Sequence, residues 1–402
     1  MAIDVKELDL PEFDLGTFTL TRSQIVARIR QARTEHPWLA RNPLGINITS
    51  YEHTVGVLRD RRFHSAVSLI PQMQGLDVAL NDRPSILSTE GDVHDRLRRL
   101  VAPAFTPKAA DRLRPYMRQV TVELVDEALT SGRVDMIADV CEPYPIPVIC
   151  ELLGAPKEDW RLFSAWATDL LRIFNNNLAV DLPIILAARN ELTPYIQRLV
   201  EEHRQVPRED LLSDMIAIEE AGDRLSTMEL VTMAEAVLVA GTDTTRNQLA
   251  CIMALFAEHP DQWELLVKDP SLAARAVEEG MRYLGAVRDT VRVVSEDLEY
   301  NDVFFAKGTL VFPSFLGANF EADRFPNPDT FDIAKEPGRS PHLTFGSGIH
   351  HCLGAWLARA ELQEALPVLA ARLPRLALVD PIGWKSVLIG IWGPEHMVFR
   401  AP

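Results

Sequence analysis

The sequence predicts a mainly α fold with a small β portion, carried by one large domain. Three observations point there. Most of the chain repeats apolar residues every three or four positions, the period of an amphipathic helix. One long central segment is apolar on most faces, as a helix buried in a large core must be. Strand-like pieces are short and come late. At 402 residues, 47% hydrophobic and 24% charged, the composition is that of a globular chain with ample core.

The elements follow in order. The opening "MAIDVKELDLPEFDLG" is acidic. It lacks a basic stretch followed by an apolar one, so it reads as neither signal peptide nor anchor. "PKAADRLRPYMRQVTVELVDEALTSG" spaces Leu113, Met117, Val120, Leu124 and Leu129 along a helix that stops at Gly132. "STMELVTMAEAVLVAGTDTTRNQLACIMALFAEHP" is the central helix, with Ser226 as N-cap, Glu229 completing a capping box and Pro260 as the stop. "SLAARAVEEGMRYLG" and "CLGAWLARAELQEALPVLAARL" are further helices. "DTVRVVS", "TLVFPSF" and "MVFRA" are the expected strands. Residues 312–342 hold Pro313, Pro326, Pro328, Pro337 and Pro341 and predict a long irregular segment, a common place for function.

Charge and cysteines narrow the function. A net charge of −16 argues against nucleic acid, whose phosphates need clustered Lys and Arg. No apolar run reaches the roughly 18 residues of a membrane span. Cys141, Cys150, Cys251 and Cys352 are scattered, which predicts a reducing, cytoplasmic setting without disulfides.

Cys352 stands out, in "FGSGIHHCLG". Gly346 and Gly348 permit backbone conformations closed to other residues. A helical pattern follows at once, so Cys352 sits near a helix N-terminus, where free N–H groups favour a thiolate. Three uses for such a sulfur compete. A nucleophile would need His350 or His351 as base, and sequence neighbours rarely meet in that geometry. A zinc site of His342, His350, His351 and Cys352 matches no common spacing. Axial ligation of a haem iron is the third.

The ten residues resemble the haem-binding loop of the cytochrome P-450 family, Phe-Gly-x-Gly-x-His/Arg-x-Cys-x-Gly, at every fixed position. Other family motifs appear in order. "AGTDTT", from Ala240 to Thr245, resembles the oxygen-activating segment of the central helix. "EGMR", from Glu279 to Arg282, resembles the Glu-x-x-Arg pair. "HDRLRRLVAPAFTP" holds His94 and Arg98 at HxxxR spacing, and "PYPIPVICELLGAP" also looks like bacterial members. The resemblance runs from about Pro37 to the end, with residues 1–36 expected to pack on the domain as an extension.

What the resemblance implies is specific. The fold is a triangular helical domain holding haem b (iron protoporphyrin IX) between the central helix and the cysteine loop. Cys352 is the metal ligand. Phe345, Gly354 and Ala240 lie against the haem, and His94, Arg98, Arg292 and His350 hold its carboxylates, with His342 a further candidate. Asp243 and Thr244 are the acid–alcohol pair that delivers protons. A mid-helix acid in apolar surroundings costs several kcal/mol unless it has such a use or a partner. The plain alternative for "AGTDTT" is a polar kink whose hydroxyls bond the preceding turn. Disruption of the helix ladder there would open a groove for oxygen.

Glu279 and Arg282 brace the fold, with Thr330 where relatives often supply a basic third partner. Leu87, Val237, Val287, Arg288, Leu388 and Ile389 are candidates for the substrate pocket. Arg288 either faces that pocket or pairs with Asp289 at the surface. Arg96, Arg99 and Arg339 would form a positive patch for an acidic electron donor. The implied enzyme is a monomeric monooxygenase. It uses O2, an apolar small molecule and a ferredoxin- or flavodoxin-type donor with its reductase. A haem-thiolate sensor without turnover, peroxide-driven oxygenation, and oxidative coupling or desaturation are the alternatives. An intact acid–alcohol pair argues against the first two.

Overall fold

Ser226 accepts the backbone N–H of Glu229, and the Glu229 carboxylate accepts that of Ser226. This capping box starts the central helix, Thr227–Glu258, which ends just before Pro260. From Leu249 to Phe256 every residue of it is buried, because other helices cover it on all sides. The computed structural model describes residues 2–13, 22–78, 83–175, 177–220, 225–336, 338–385 and 390–401.

The helix Pro107–Leu129 buries Met117, Val120 and Val125, and Thr106 caps it by accepting the Ala109 N–H at 3.3 Å. It packs along Ala355–Arg372, the helix that follows Cys352 and is called here the cysteine helix. Pro145–Leu153, Trp160–Leu170 and Leu178–Gln205 cover the other flank of the central helix. One apolar cluster runs through all of these, from Val26 to Phe399. Among the smaller clusters, one lies apart from the sheet. Leu178 and Ile185 are its buried members, with Leu76, Val78, Ile173 and Leu182 against them, and Leu170 touches both clusters.

The β portion is larger and earlier than the sequence suggests. Leu39–Asn42, Gly45–Ile48, Leu310–Pro313, Arg292–Val294 and Phe63–Ser65 form one five-stranded sheet in that spatial order. Ile46 pairs with Val311, Val311 with Arg292, and Val294 with Phe63. These early strands have three or four residues and no strong alternation; Leu39–Asn42 and Gly45–Ile48 pair locally as a hairpin, while Leu310–Pro313 and Arg292–Val294 join them and Phe63–Ser65 from the other end of the chain. The expected late strands appear as Arg292–Val294, Leu310–Pro313 and Val398–Arg400. Ahead of Pro37, Ile3–Asp4 adds to the strand Val303–Phe305, and the helix Arg22–Glu35 buries Val26, Ile29 and Ala32.

Candidate active site

The cysteine loop is built by close approach. Gly348 has φ +72°, and a Cβ there would lie 2.0 Å from the Leu58 carbonyl oxygen. Gly346 has φ +69°. The loop closes on itself through the Cys352 N–H, which donates to the Phe345 carbonyl at 2.9 Å. At Gly354 a Cβ would point into open space, so the missing side chain leaves a flat ledge beside the sulfur.

Cys352 faces a cavity of about 320 Å³. Opposite it lie Ala240, Gly241, Thr244 and Thr245 of the central helix, and Ile86, Leu87, Val237 and Val287 add apolar wall. Phe345, Gly354, Arg98, Arg292 and His350 also line this space. The sulfur is accessible from the cavity and closely enclosed elsewhere. Burial pushes its thiol up, and the Gly354 N–H, Arg98 and Arg359 pull it back only in part. Burial thus opposes the thiolate that the helix start favours, and a metal cation on the sulfur would offset that burial.

Buried nitrogens near this cavity lack partners among the described residues. Arg292 is buried and donates through Nη1 to Thr290 and the Val291 carbonyl, while its Nε has no partner among the described residues. Burial lowers its pKa to about 10. His94 is fully buried; its Nδ1 lies 3.2 Å from Asp95, and its Nε2 has no partner among the described residues. It does not itself line the cavity, but its ring lies 4.7 Å from that of His350. His350 meets two acceptors, Glu90 at 2.9 Å and the Ile86 carbonyl at 3.2 Å. Arg98 donates to the His351 carbonyl at 2.6 Å. Orphaned buried nitrogens around a soft sulfur donor fit a metal macrocycle carrying carboxylates.

Several expected roles shift. His342 turns away from the cavity, with Nε2 3.3 Å from Glu278. Arg96 pairs with Glu229 at the start of the central helix, so its charge is not spent on a surface patch; Arg99 and Arg339 are exposed. Arg288 neither lines the cavity nor makes an ion pair with Asp289 among the described residues. Its guanidinium lies 4.6 Å from the Trp392 ring centroid. Trp384 stacks on Trp392 at 4.4 Å and 7°, which leaves Arg288 the opposite face. Leu388 and Ile389 lie outside the described residues.

The central helix is unbroken across the cavity, where a gap in the ladder had been expected. Thr244 donates its hydroxyl to the Ala240 carbonyl at 2.7 Å, and Asn247 donates to that of Asp243 at 2.8 Å. These side chains satisfy the turn instead of opening it. Asp243 is buried, does not line the cavity, and is ion-paired with Arg246. Arg246 also donates to Thr168 at 3.2 Å and lies 3.7 Å from Glu142.

Sequence reasoning missed Arg246, Glu90 and Glu361. Glu361, on the cysteine helix, lines the cavity with Oε1 unpartnered and Oε2 accepting from Thr245 at 3.4 Å. Burial raises its carboxyl well above the usual range. An acid among Ala360, Leu362 and Ala365 was the available signal, the same one that marked Asp243. The Glu279–Arg282 pair is bidentate, both contacts 2.7 Å. Its third support is main chain: Arg282 donates to the carbonyls of Asn319, Pro328 and Thr330, so the Thr330 backbone serves, not its side chain.

No three His, Cys, Asp or Glu side chains converge on a metal position among the described residues, which argues against the zinc site. Both ring nitrogens of His350 are engaged, by Glu90 and the Ile86 carbonyl, which argues against it as a base for the sulfur. A haem-thiolate centre fits the cavity and its orphaned nitrogens. Comparison with known proteins agrees: the cytochrome P450 family model matches residues 157–370. Nocardicin C N-oxygenase of Nocardia uniformis subsp. tsuyamanensis is 35% identical over 379 residues, covering 92% of this chain and 91% of that one. Mycinamicin IV hydroxylase/epoxidase of Micromonospora griseorubida is 35% identical, with 95% and 92% covered. The solved structure of CxnD, a cytochrome P450 enzyme for C–S bond formation in chuangxinmycin biosynthesis, superposes with a TM-score of 0.87 at 29% identity, covering 98% of each chain.

The chain belongs to the cytochrome P450 family, and it is a haem-thiolate monooxygenase that uses O2, a small-molecule substrate and a redox partner. No helix among the described residues is long and apolar enough to cross a membrane.

Proposed function

We propose that this enzyme inserts one atom of O2 into a C–H or C=C bond of an apolar small molecule of polyketide, terpenoid, steroid or fatty acyl type. The other atom leaves as water. Two electrons arrive singly from a cytoplasmic ferredoxin- or flavodoxin-type donor and its reductase. The observation that carries this reading is the pairing of Cys352 with Ala240, Gly241 and Thr244 across one apolar cavity. The polyketide class is supported by the name of the mycinamicin relative.

Cys352 would hold haem b from one side, with Phe345, Gly354 and Ala240 against it and His94, Arg98, Arg292 and His350 toward its carboxylates. When bound, the haem supplies oxygen activation, to which electron donation by thiolate contributes. The chain's own residues do the rest. Val237, Val287 and Leu87 exclude water and orient an apolar substrate. The Thr244 hydroxyl, once released from the Ala240 carbonyl, delivers a proton above the sulfur. Asp243, held off the cavity by Arg246, takes its turn when that pair opens.

Replacing Cys352 with serine tests the reading. The Cys352→Ser protein is expected to lose the absorption signature of a thiolate-ligated reduced carbonyl complex, and to oxidise no compound that the parent oxidises. Equal turnover by parent and folded, haem-loaded variant would overturn it. Screening polyketides, terpenoids, steroids and fatty acids for the spectral shift on binding assigns the substrate class.

A further inference from the structure

On the side of the cysteine loop away from the central helix, a second charged group sits against the metal ligand's support. Arg359, two turns along the cysteine helix from Cys352, lays its guanidinium 4.5 Å from the centroid of the Phe345 ring. Phe345 is the residue whose carbonyl takes the Cys352 N–H. Glu278, from the helix Ala273–Tyr283, grips Arg359 at 2.5 and 3.1 Å. His342 closes the far side, its Nε2 3.3 Å from Glu278 and its ring 5.6 Å from Phe345. The Arg359 side chain is 20% exposed, and that of Glu278 is 44% exposed at the rim.

We propose that the Glu278–Arg359 pair sets the reduction potential of the haem iron by fixing how much of the Arg359 charge the Cys352 sulfur feels.

The physics is that of a charge near a low-dielectric ligand. A cation beside the sulfur stabilises the form carrying the extra electron, and an anion paired with that cation cancels the effect. Arg359 stands on the helix that Cys352 leads into, against the ring of the residue whose carbonyl takes the Cys352 N–H. Burial opposes ionisation of Glu278, yet His342 and Arg359 hold its carboxyl at about 2. The anion is therefore present across the working range. Sandwiching the guanidinium between Glu278 and the Phe345 ring keeps it in place. Arg359 and Glu278 are positioning residues here; neither lines the substrate side of the cavity as a proton donor would.

The inference rests on the haem-thiolate reading, and the test separates the two. Spectroelectrochemical titration of the haem-loaded parent, Glu278→Gln, Arg359→Met, Arg359→Lys and the double variant Glu278→Gln/Arg359→Met measures the potentials. Glu278→Gln is expected to raise the reduced-to-oxidised ratio at fixed ambient potential at least threefold, about 28 mV at about 59 mV per decade for one electron. Arg359→Met is expected to lower it by a similar factor, Arg359→Lys to stay within threefold of the parent, and the double variant to return toward it. A purely structural tie would lower thermal stability in both single variants and move both potentials the same way or not at all. That result overturns the proposal. If Arg359→Met does not fold, the sign of the Glu278→Gln shift decides alone. A parent that takes up no haem defeats the underlying reading instead.

Discussion

Removing Glu279 offers the sharpest test of what holds the floor of this enzyme together. Its carboxylate meets Arg282 at two contacts of 2.7 Å, with the side chains 11% and 5% exposed. Breaking one side of a buried pair costs about 3–5 kcal/mol, chiefly because the other charge is left buried. Arg282 keeps three carbonyl acceptors when Glu279 is replaced by glutamine, which places Glu279→Gln near the lower end, about 3 kcal/mol. Arg282→Met orphans those carbonyls and strands a carboxylate, so it belongs at about 5 kcal/mol. The pair Glu279→Leu/Arg282→Met removes both charges and is expected to cost less than the sum of Glu279→Leu and Arg282→Met by about 2 kcal/mol or more. Urea unfolding of the haem-loaded proteins, followed by tryptophan fluorescence, reads these differences as midpoint shifts multiplied by the common slope. A Glu279→Gln cost below about 1 kcal/mol, the value of an exposed pair, would refute the reasoning. So would full additivity in the double variant.

Other outcomes follow from the same structure. Glu361→Gln is expected to flatten the pH dependence of stability. With its carboxyl raised by burial, the folded chain keeps a proton that the unfolded chain releases above about pH 4.3, so stability falls by up to about 1.4 kcal/mol per pH unit as pH rises until the folded group ionises. The variant's midpoint should then exceed the parent's at neutral pH, and an unchanged urea midpoint there would count against a buried, neutral Glu361. Gly348→Ala forces a Cβ to within 2.0 Å of the Leu58 carbonyl at a positive φ, so haem binding should weaken sharply, as a Soret titration would show; tight binding would contradict the loop geometry. Alanine at Arg99 and Arg339 together should slow reduction by an acidic donor and reduce its dependence on ionic strength, measured by stopped flow, while Arg96→Ala should instead loosen the start of the central helix.

How much of this could be read beforehand depends on whether the determining contact is local. The capping box of Ser226 and Glu229 was legible because four adjacent residues decide it. The cysteine loop was legible because its glycines and its sulfur lie within ten positions. The sheet was less so, since Gly45–Ile48 pairs locally with Leu39–Asn42 but is tied into the sheet by Leu310–Pro313 at the other end of the chain. The fate of Arg288 also depends on a distant partner: Trp392 offers its ring face, and a cation against an aromatic face satisfies a guanidinium that would otherwise seek an acid. Arg246 was within reach, three positions beyond Asp243 on one helix face, yet an i, i+3 pair is too common to single out unaided. The hydroxyl of Thr244 bonds the preceding turn, as the plain alternative for "AGTDTT" has it, while the carbonyl contact of Asn247 had no sequence signal.

The small cluster of Leu76, Val78, Ile173, Leu178, Leu182 and Ile185 has a consequence for where the molecule opens. Its members pack on one another, and among the described residues Leu170 is the one common to it and the main core, which the rest of the helix Leu178–Gln205 also joins. Gln74 adds two polar stitches to the same neighbourhood, at Asn175 and Leu178. A patch held by so few apolar contacts opens locally at less cost than the main core. Among the described residues it shares none with the walls around the sulfur, so such an opening leaves the cysteine loop's own contacts in place.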